Sequence, residues 1–360
     1  MSSLSHLKKL DWWLVLIVAI IVGMGIASFY NIGPRAPDFM KRQAVFLAIG
    51  MAIMLAAAFF DYRIFKNFSL ASIVIYLIAT VLLLFALASQ EIRGVSSWII
   101  LKNLTFEPAE LAKLSLIILL AKYFSQKHVE IYHARHILAS AVYALIPAML
   151  TFSQPDLGSV IVLFSVWLAM LFFSGIKRRH LLVILMVGII IATIGWFAVL
   201  KPYQKDRLVS FINPYLDPRG SGYNILQAKT AIGSGRWFGI AFNKKVPQRT
   251  LVPEPYNDFA FANFARKFGF AGILALIILF SLLMSRIGSI AARTDNNFAK
   301  LFSLGFLTLV FAHVSINTSV NLGLLPITGI PFSFLSYGGS HFITLMIGLG
   351  IIQNIRTSLR

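Results

Sequence analysis

The sequence predicts an all-α polytopic membrane protein with about ten transmembrane helices and one large extracytoplasmic loop, and three observations predict it. Hydrophobic residues make up 58% of the 360 and charged residues only 12%, against ~25% charged in a typical globular domain; the mean hydropathy is +0.80. Apolar runs of ~20 residues, the length that crosses ~30 Å of hydrocarbon, recur without strand-like alternation, so helices must satisfy the backbone in lipid. One polar segment, about 201–267, interrupts the series.

The runs lie near 12–30, 40–60, 68–88, 109–125, 137–153, 157–175, 181–200, 269–287, 301–322 and 340–355, which places the large loop between helices 7 and 8. The first follows Lys8-Lys9, is too long for a signal-peptide core and has no small-x-small site after it; it reads as an uncleaved signal anchor. Pro108 opens the fourth run, where proline suits a first helical turn. Gln154 to Gly158 joins the fifth and sixth by a tight turn, and the Pro/Gly stretch from Asn317 through Pro326 and Pro331 to Ser340 reads as a rigid connection between the last two. No internal repeat, low-complexity tract or separate soluble domain interrupts residues 1–360, so one membrane domain is expected.

An even number of spans puts both termini on one side, and basic residues in short loops decide which. With a cytoplasmic N-terminus, Lys8, Lys9, Arg63, Lys66, Lys122, Lys127, Arg135, Lys177, Arg178, Arg179, Arg286, Arg293, Lys300, Arg356 and Arg360 are inside, and only Arg35, Lys41, Arg42, Arg93 and Lys102 fall in short outside loops. Both termini are therefore expected in the cytoplasm and the 201–267 loop outside. The formal charge of +19 is largely this topology signal plus attraction to anionic headgroups, and does not argue for nucleic acid. The outer loop carries its own excess of Lys and Arg over Asp206, Asp217, Glu254 and Asp258, a surface suited to an anionic partner such as a lipid pyrophosphate. With no cysteine, disulfides and thiol chemistry are excluded.

Several residues stand out chemically. Asp258, in the run Pro253 to Phe259, reads first as the N-cap of the helix that follows and, compatibly, as a carboxylate at the water–hydrocarbon boundary able to act as a general base. Glu110 and Lys113 sit one turn into an apolar run at i, i+3, where ionisable side chains are costly and face a cavity more often than lipid. Asp156 reads as a cap of the sixth run. Gly222, Gly233 and Gly235 read as turn residues, and no Gly-Lys-Ser/Thr follows them to make a nucleotide loop. His128, His133 and His136 crowd one loop without a completing carboxylate, so no metal site is assigned.

Taken together, these motifs resemble the SEDS family, the shape, elongation, division and sporulation proteins of RodA/FtsW type. Arg93-Gly94 with Trp98-Ile99, Pro108-x-Glu110-x-x-Lys113 and Gln154-Pro155-Asp156-Leu157-Gly158 carry the resemblance first. Arg207, Pro214, Asp217, Gly222-Tyr223, Gln227, Ala231 to Gly235, Pro253-Glu254, Asp258-Phe259 and the blocks Gly323 to Pro326 and Ser336 to Ser340 follow in family order. A short N-terminus places the chain nearer RodA than FtsW. The chain departs from the family pattern at Glu107, Arg236 to Phe238, Asn257, Arg266, Lys267 and Ser333.

The resemblance implies a peptidoglycan glycosyltransferase of the bacterial cytoplasmic membrane that polymerises lipid II together with a class B penicillin-binding protein. The growing lipid-linked strand would pass to a sugar hydroxyl of lipid II with release of polyprenyl pyrophosphate, in one inverting displacement that needs one base. Asp258 is assigned as that base. Lys113, Arg207 and Arg93 are assigned to the pyrophosphate, Glu110 to orienting Lys113, and Trp98, Asp156, Glu254 and Ser336 to substrate binding; a divalent cation, Mg²⁺ or Mn²⁺, has a place beside the pyrophosphate, with no ligand residues assigned. The rival readings are a flippase of lipid-linked precursors, which the intramembrane charges would also suit, and a non-catalytic scaffold of a cell-wall synthase.

Overall fold

The computed structural model describes residues 7–89, 96–101, 104–127, 133–198, 205, 210–216, 220–241 and 252–359. Each of the ten apolar runs falls on a helix: α1 Trp12–Phe29, α2 Ala36–Phe59, α4 Ser69–Leu87, α5 Pro108–Lys127, α6 Ala134–Ser153, α7 Leu157–Phe173, α8 Arg178–Ala198, α10 Ala260–Arg293, α11 Asn297–Asn321 and α12 Gly339–Thr357. Two shorter helices, α3 (Arg63–Asn67) and α9 (Ser221–Ser234), and a 3₁₀ turn at Pro214–Leu216 lie between them. Six helices (α1, α2, α4, α6, α10 and α11) are long and apolar enough by themselves to cross a membrane.

The fold is mostly helical, as expected, with one short hairpin in which β1 (Ile99–Leu101) pairs antiparallel with β2 (Leu104–Phe106), Ile100 opposite Thr105. Gly222 and Gly233 are not turn residues but lie inside α9, where packing against α10 overrides their weak helix propensity. Helix α10 begins at Ala260, so the last residues of the 201–267 segment are helical.

Helix α10 is two helices joined at Gly269, whose φ of 64° and ψ of −163° only glycine adopts readily. The break lets residues 236–241 run beside it: Phe270 and Ala271 donate backbone N–H bonds to Arg236 and Trp237 at 2.8 and 2.9 Å, and Ile240 and Ala241 donate to Arg266 and Lys267 at 3.1 and 3.0 Å. These bonds satisfy the groups that the break frees, as a membrane interior requires. A side chain at Gly269 would strike the backbone of Phe238 and Gly239.

Helix α5 lies at the centre. It packs on α4, α11, α7, α6 and α12 and is buried on nearly every face, which matches its all-round apolar sequence. Helices α2 and α12 form another extensive pairing, and α10 packs on α11 and α1. By contrast α8 presents Leu182, Met186, Ile189 and Phe197 outward. The central position of α5 fixes where Glu110 and Lys113 end up.

Candidate active site

Glu110 and Lys113 are both fully buried, and Lys113 Nζ donates to Glu110 Oε1 at 2.8 Å. Two histidines the sequence reading does not single out complete the group. His341, at the start of α12, bonds through Nδ1 to Glu110 Oε2 at 2.8 Å, and His313 of α11 places Nε2 3.4 Å from Lys113 Nζ. The imidazoles stack with centroids 4.4 Å apart. The signal that could have found them is their presence in apolar runs, where an ionisable side chain has a functional role by default.

Above this cluster lies a cavity of about 510 Å³ lined by Arg42, Trp98, Thr105, Glu107, Asn257, Asp258, Gly329, Tyr337, Ser340 and His341, among others. A second cavity of about 470 Å³ shares Trp98, Thr105 and Asn257 with it and adds Arg35, Phe39, Glu254 and Tyr256. Asp258 and Trp98 thus line the same cavity and Glu254 the neighbouring one, while Lys113 lines neither. Positive charge reaches the cavities from Arg42 and Arg35 instead, which the sequence shows as basic residues in a short loop on the side the topology rule leaves poor in them. The Pro/Gly stretch read as a rigid connection also supplies cavity wall, through Gly329, Pro331 and the run Tyr337 to Ser340.

Asp258 is not a helix cap. The N-cap of α10 is Phe259, which makes no side-chain cap bond, because the preceding turn folds onto Glu254: Asn257 and Phe259 both donate backbone N–H bonds to its carbonyl. The Asp258 carbonyl accepts from Asn317 Nδ2 and Asn321 Nδ2, each at 2.9 Å, and Asn321 Oδ1 accepts the Ala262 N–H at 3.0 Å. Ser336 Oγ donates to the Asn257 carbonyl at 2.8 Å, and Tyr337 N–H to the Tyr256 carbonyl at 2.8 Å. Glu254 holds φ at 44°, costly for a residue with a side chain. The loop is therefore fixed through its backbone, which leaves the Asp258 carboxylate on the cavity wall.

Ser336 is buried and also accepts the Phe332 N–H at 2.9 Å, so its place is in holding this loop. Asp156 is the cap of α7, accepting from the Ser159 N–H at 2.9 Å, and Gly158 packs against the Thr328 carbonyl with no room for a Cβ. Lys267 lies away from the cavity: it is buried, donates to the Tyr30 carbonyl and sits 5.2 Å from the Tyr30 ring centre. Glu107, at the mouth of α5, is pushed up to about 8 by burial and then by the neighbouring charges of Glu110 and Asp156. Arg93 and Arg207 lie outside the described residues.

Glu110, His313 and His341 could by proximity hold a metal ion. The donor set does not suit Mg²⁺, which prefers oxygen ligands, and Lys113 already supplies the positive charge between Glu110 and His313.

A membrane protein built of apolar helices around a buried ion cluster, with a carboxylate-bearing cavity at one end of it, is the class this architecture defines. The chain belongs to the FtsW/RodA/SpoVE family of cell cycle proteins, whose model matches residues 7–360. It is 32% identical over 350 residues to the peptidoglycan glycosyltransferase MrdB of Escherichia coli, covering 97% of this chain and 94% of MrdB. It is 31% identical over 354 residues to stage V sporulation protein E of Bacillus subtilis, covering 96% of each. Among solved structures it is similar to a chain of a peptidoglycan synthase complex that coordinates polymerization and crosslinking, with a TM-score of 0.82, 31% identity and coverage of 96% of this chain and 97% of that one. It is also similar to the rod shape determining protein RodA of Thermus thermophilus, with a TM-score of 0.70, 27% identity and 96% coverage of each chain.

Proposed function

We propose that this chain is a peptidoglycan glycosyltransferase that joins lipid-linked disaccharides, with Asp258 as its general base. The observation that carries the reading is the Asp258 carboxylate on the wall of a roughly 510 Å³ cavity, in a loop whose carbonyls are held by Asn317, Asn321 and Ser336. A base must be held close to the proton it takes, and such fixed positioning is worth more than a single hydrogen bond.

In the proposed step the hydroxyl of lipid II attacks the anomeric carbon of the growing strand. Its O–H bond breaks as the new C–O bond forms, Asp258 takes the proton, and the anomeric C–O bond to pyrophosphate breaks with its electron pair leaving on the phosphate oxygen. A single displacement inverts the anomeric centre. Arg42 is the described cation placed to meet the pyrophosphate, in bidentate fashion if the phosphate lies along the guanidinium. Lys113 acts at one remove, by keeping Glu110 charged and fixed under the cavity. Mg²⁺ or Mn²⁺ has a place only with the substrate's own phosphates.

The same reading puts both termini and residues 176–180 in the cytoplasm and Gly222 and Lys244 outside, with a class B penicillin-binding protein as the partner. A flippase would need charges that open to both sides, and Glu110 and Lys113 are closed in by their own partners. The test is incubation of the purified protein with lipid II, alone and with the partner, followed by gel separation of glycan strands. A ladder of strands is the predicted result; a well-folded protein that makes none in either condition, or that only moves lipid II across vesicles, contradicts the reading. Labelling of a Lys244→Cys variant by an impermeant reagent in intact cells tests the orientation.

A further inference from the structure

The buried cluster is a chain of hydrogen bonds whose protons can be assigned one by one. His313 Nδ1 faces the Pro331 carbonyl at 3.2 Å, and a carbonyl only accepts, so Nδ1 carries hydrogen and Nε2 is free to accept from Lys113. Lys113 donates to Glu110 Oε1, and Glu110 Oε2 accepts from His341 Nδ1, which therefore also carries hydrogen. One position is left over. His341 Nε2 is buried and has no hydrogen-bond partner, while His341 itself lines the cavity that holds Asp258. An unpaired buried nitrogen is costly, and a ring held in one tautomer by a carboxylate presents its other nitrogen as a proton acceptor.

We propose that His341 is a second proton-transfer residue of this site: Nε2 receives, through the cavity, the proton that Asp258 withdraws from the acceptor hydroxyl, and yields it to the oxygen of the leaving pyrophosphate. The inference rests on the reading of Asp258 as the base. The balance closes, since the hydroxyl proton ends on the pyrophosphate oxygen and both Asp258 and His341 return to their starting forms. The groups that face His341 divide in their effect. Glu110 on α5 and Asp258 before α10 bring negative charge, Lys113 on α5 and Arg42 on α2 bring positive charge, Glu107 before α5 lines the same cavity, and His313 on α11 stacks on the ring.

A His341→Asn variant separates this role from a structural one, because an asparagine amide can still donate to Glu110 while leaving nothing at the position of Nε2. With purified protein and its partner, the variant should melt like wild type and lose roughly tenfold or more in kcat with little change in KM. In a His341→Ala variant, added imidazole should restore part of the lost rate. A wild-type rate in His341→Asn, or a loss that imidazole cannot relieve in a folded His341→Ala, overturns the proposal. A wild-type protein without polymerase activity, or an Asp258→Asn variant of normal rate, would instead place the failure with the reading of Asp258.

Discussion

The buried cluster beneath the cavity and the Pro253–Phe259 loop on its wall hold charge in opposite ways. In the cluster, side chain answers side chain: Lys113, Glu110 and the two histidines bond to one another out of reach of water. In the loop, the backbone is held by Asn317, Asn321, Ser336 and Tyr337, and the Asp258 carboxylate faces a cavity. The difference teaches where stability and chemistry part company. The cluster is held together by its side chains, whereas the loop that carries Asp258 is positioned through its backbone carbonyls at the edge of a cavity.

If that division holds, breaking the cluster should act first on folding. Lys113→Ala leaves Glu110 as an uncompensated buried charge and should cost about 3–5 kcal/mol, seen as lost extraction yield and a lower melting temperature in detergent; a variant that melts like wild type would show that the pair is not a structural element. Breaking the loop should act mainly on turnover. Asn321→Ala removes a donor to the Asp258 carbonyl and an acceptor for Ala262, and displacement of the carboxylate by about an ångström should slow polymerisation by roughly 10²-fold, with a stability loss nearer 1–3 kcal/mol. Equal loss of stability in the two variants would erase the distinction.

A further test concerns Glu107, which stands between the two regions. Its carboxyl is raised from 4.5 to about 8, so the folded protein holds a proton there that the unfolded chain gives up at lower pH. That contribution is complete below about pH 4.5, declines as pH rises and is gone above about 8. The melting temperature of wild type minus that of Glu107→Gln should therefore fall between pH 5 and 8 and then level off; a flat difference would contradict the burial of this group.

Much of the helical framework was legible because ~20-residue apolar runs have few alternatives. The pairing of Glu110 with Lys113 was legible from i, i+3 spacing alone. What escaped depends on distant contacts. His341 meets Glu110, and His313 meets Lys113, only because α12 and α11 pack on α5. The break at Gly269 needs the neighbouring chain of residues 236–241, and a glycine in an apolar run does not announce one. Glycines also misdirected the reading of α9, since Gly222 and Gly233 look like turns until α10 packs against them. Asp258 stood out as a carboxylate by its chemistry, yet its capping role failed because the turn on Glu254 moves the cap to Phe259.

The central claim, that Asp258 is the base, is tested most directly by Asp258→Asn. The substitution keeps size and backbone while removing proton affinity, and Asp258 does not cap α10. Glycan strands made from lipid II by purified wild type and variant, each with the partner, should differ by ~10²–10⁴-fold in rate at unchanged melting temperature. Strand synthesis by the variant at near wild-type rate would contradict the assignment.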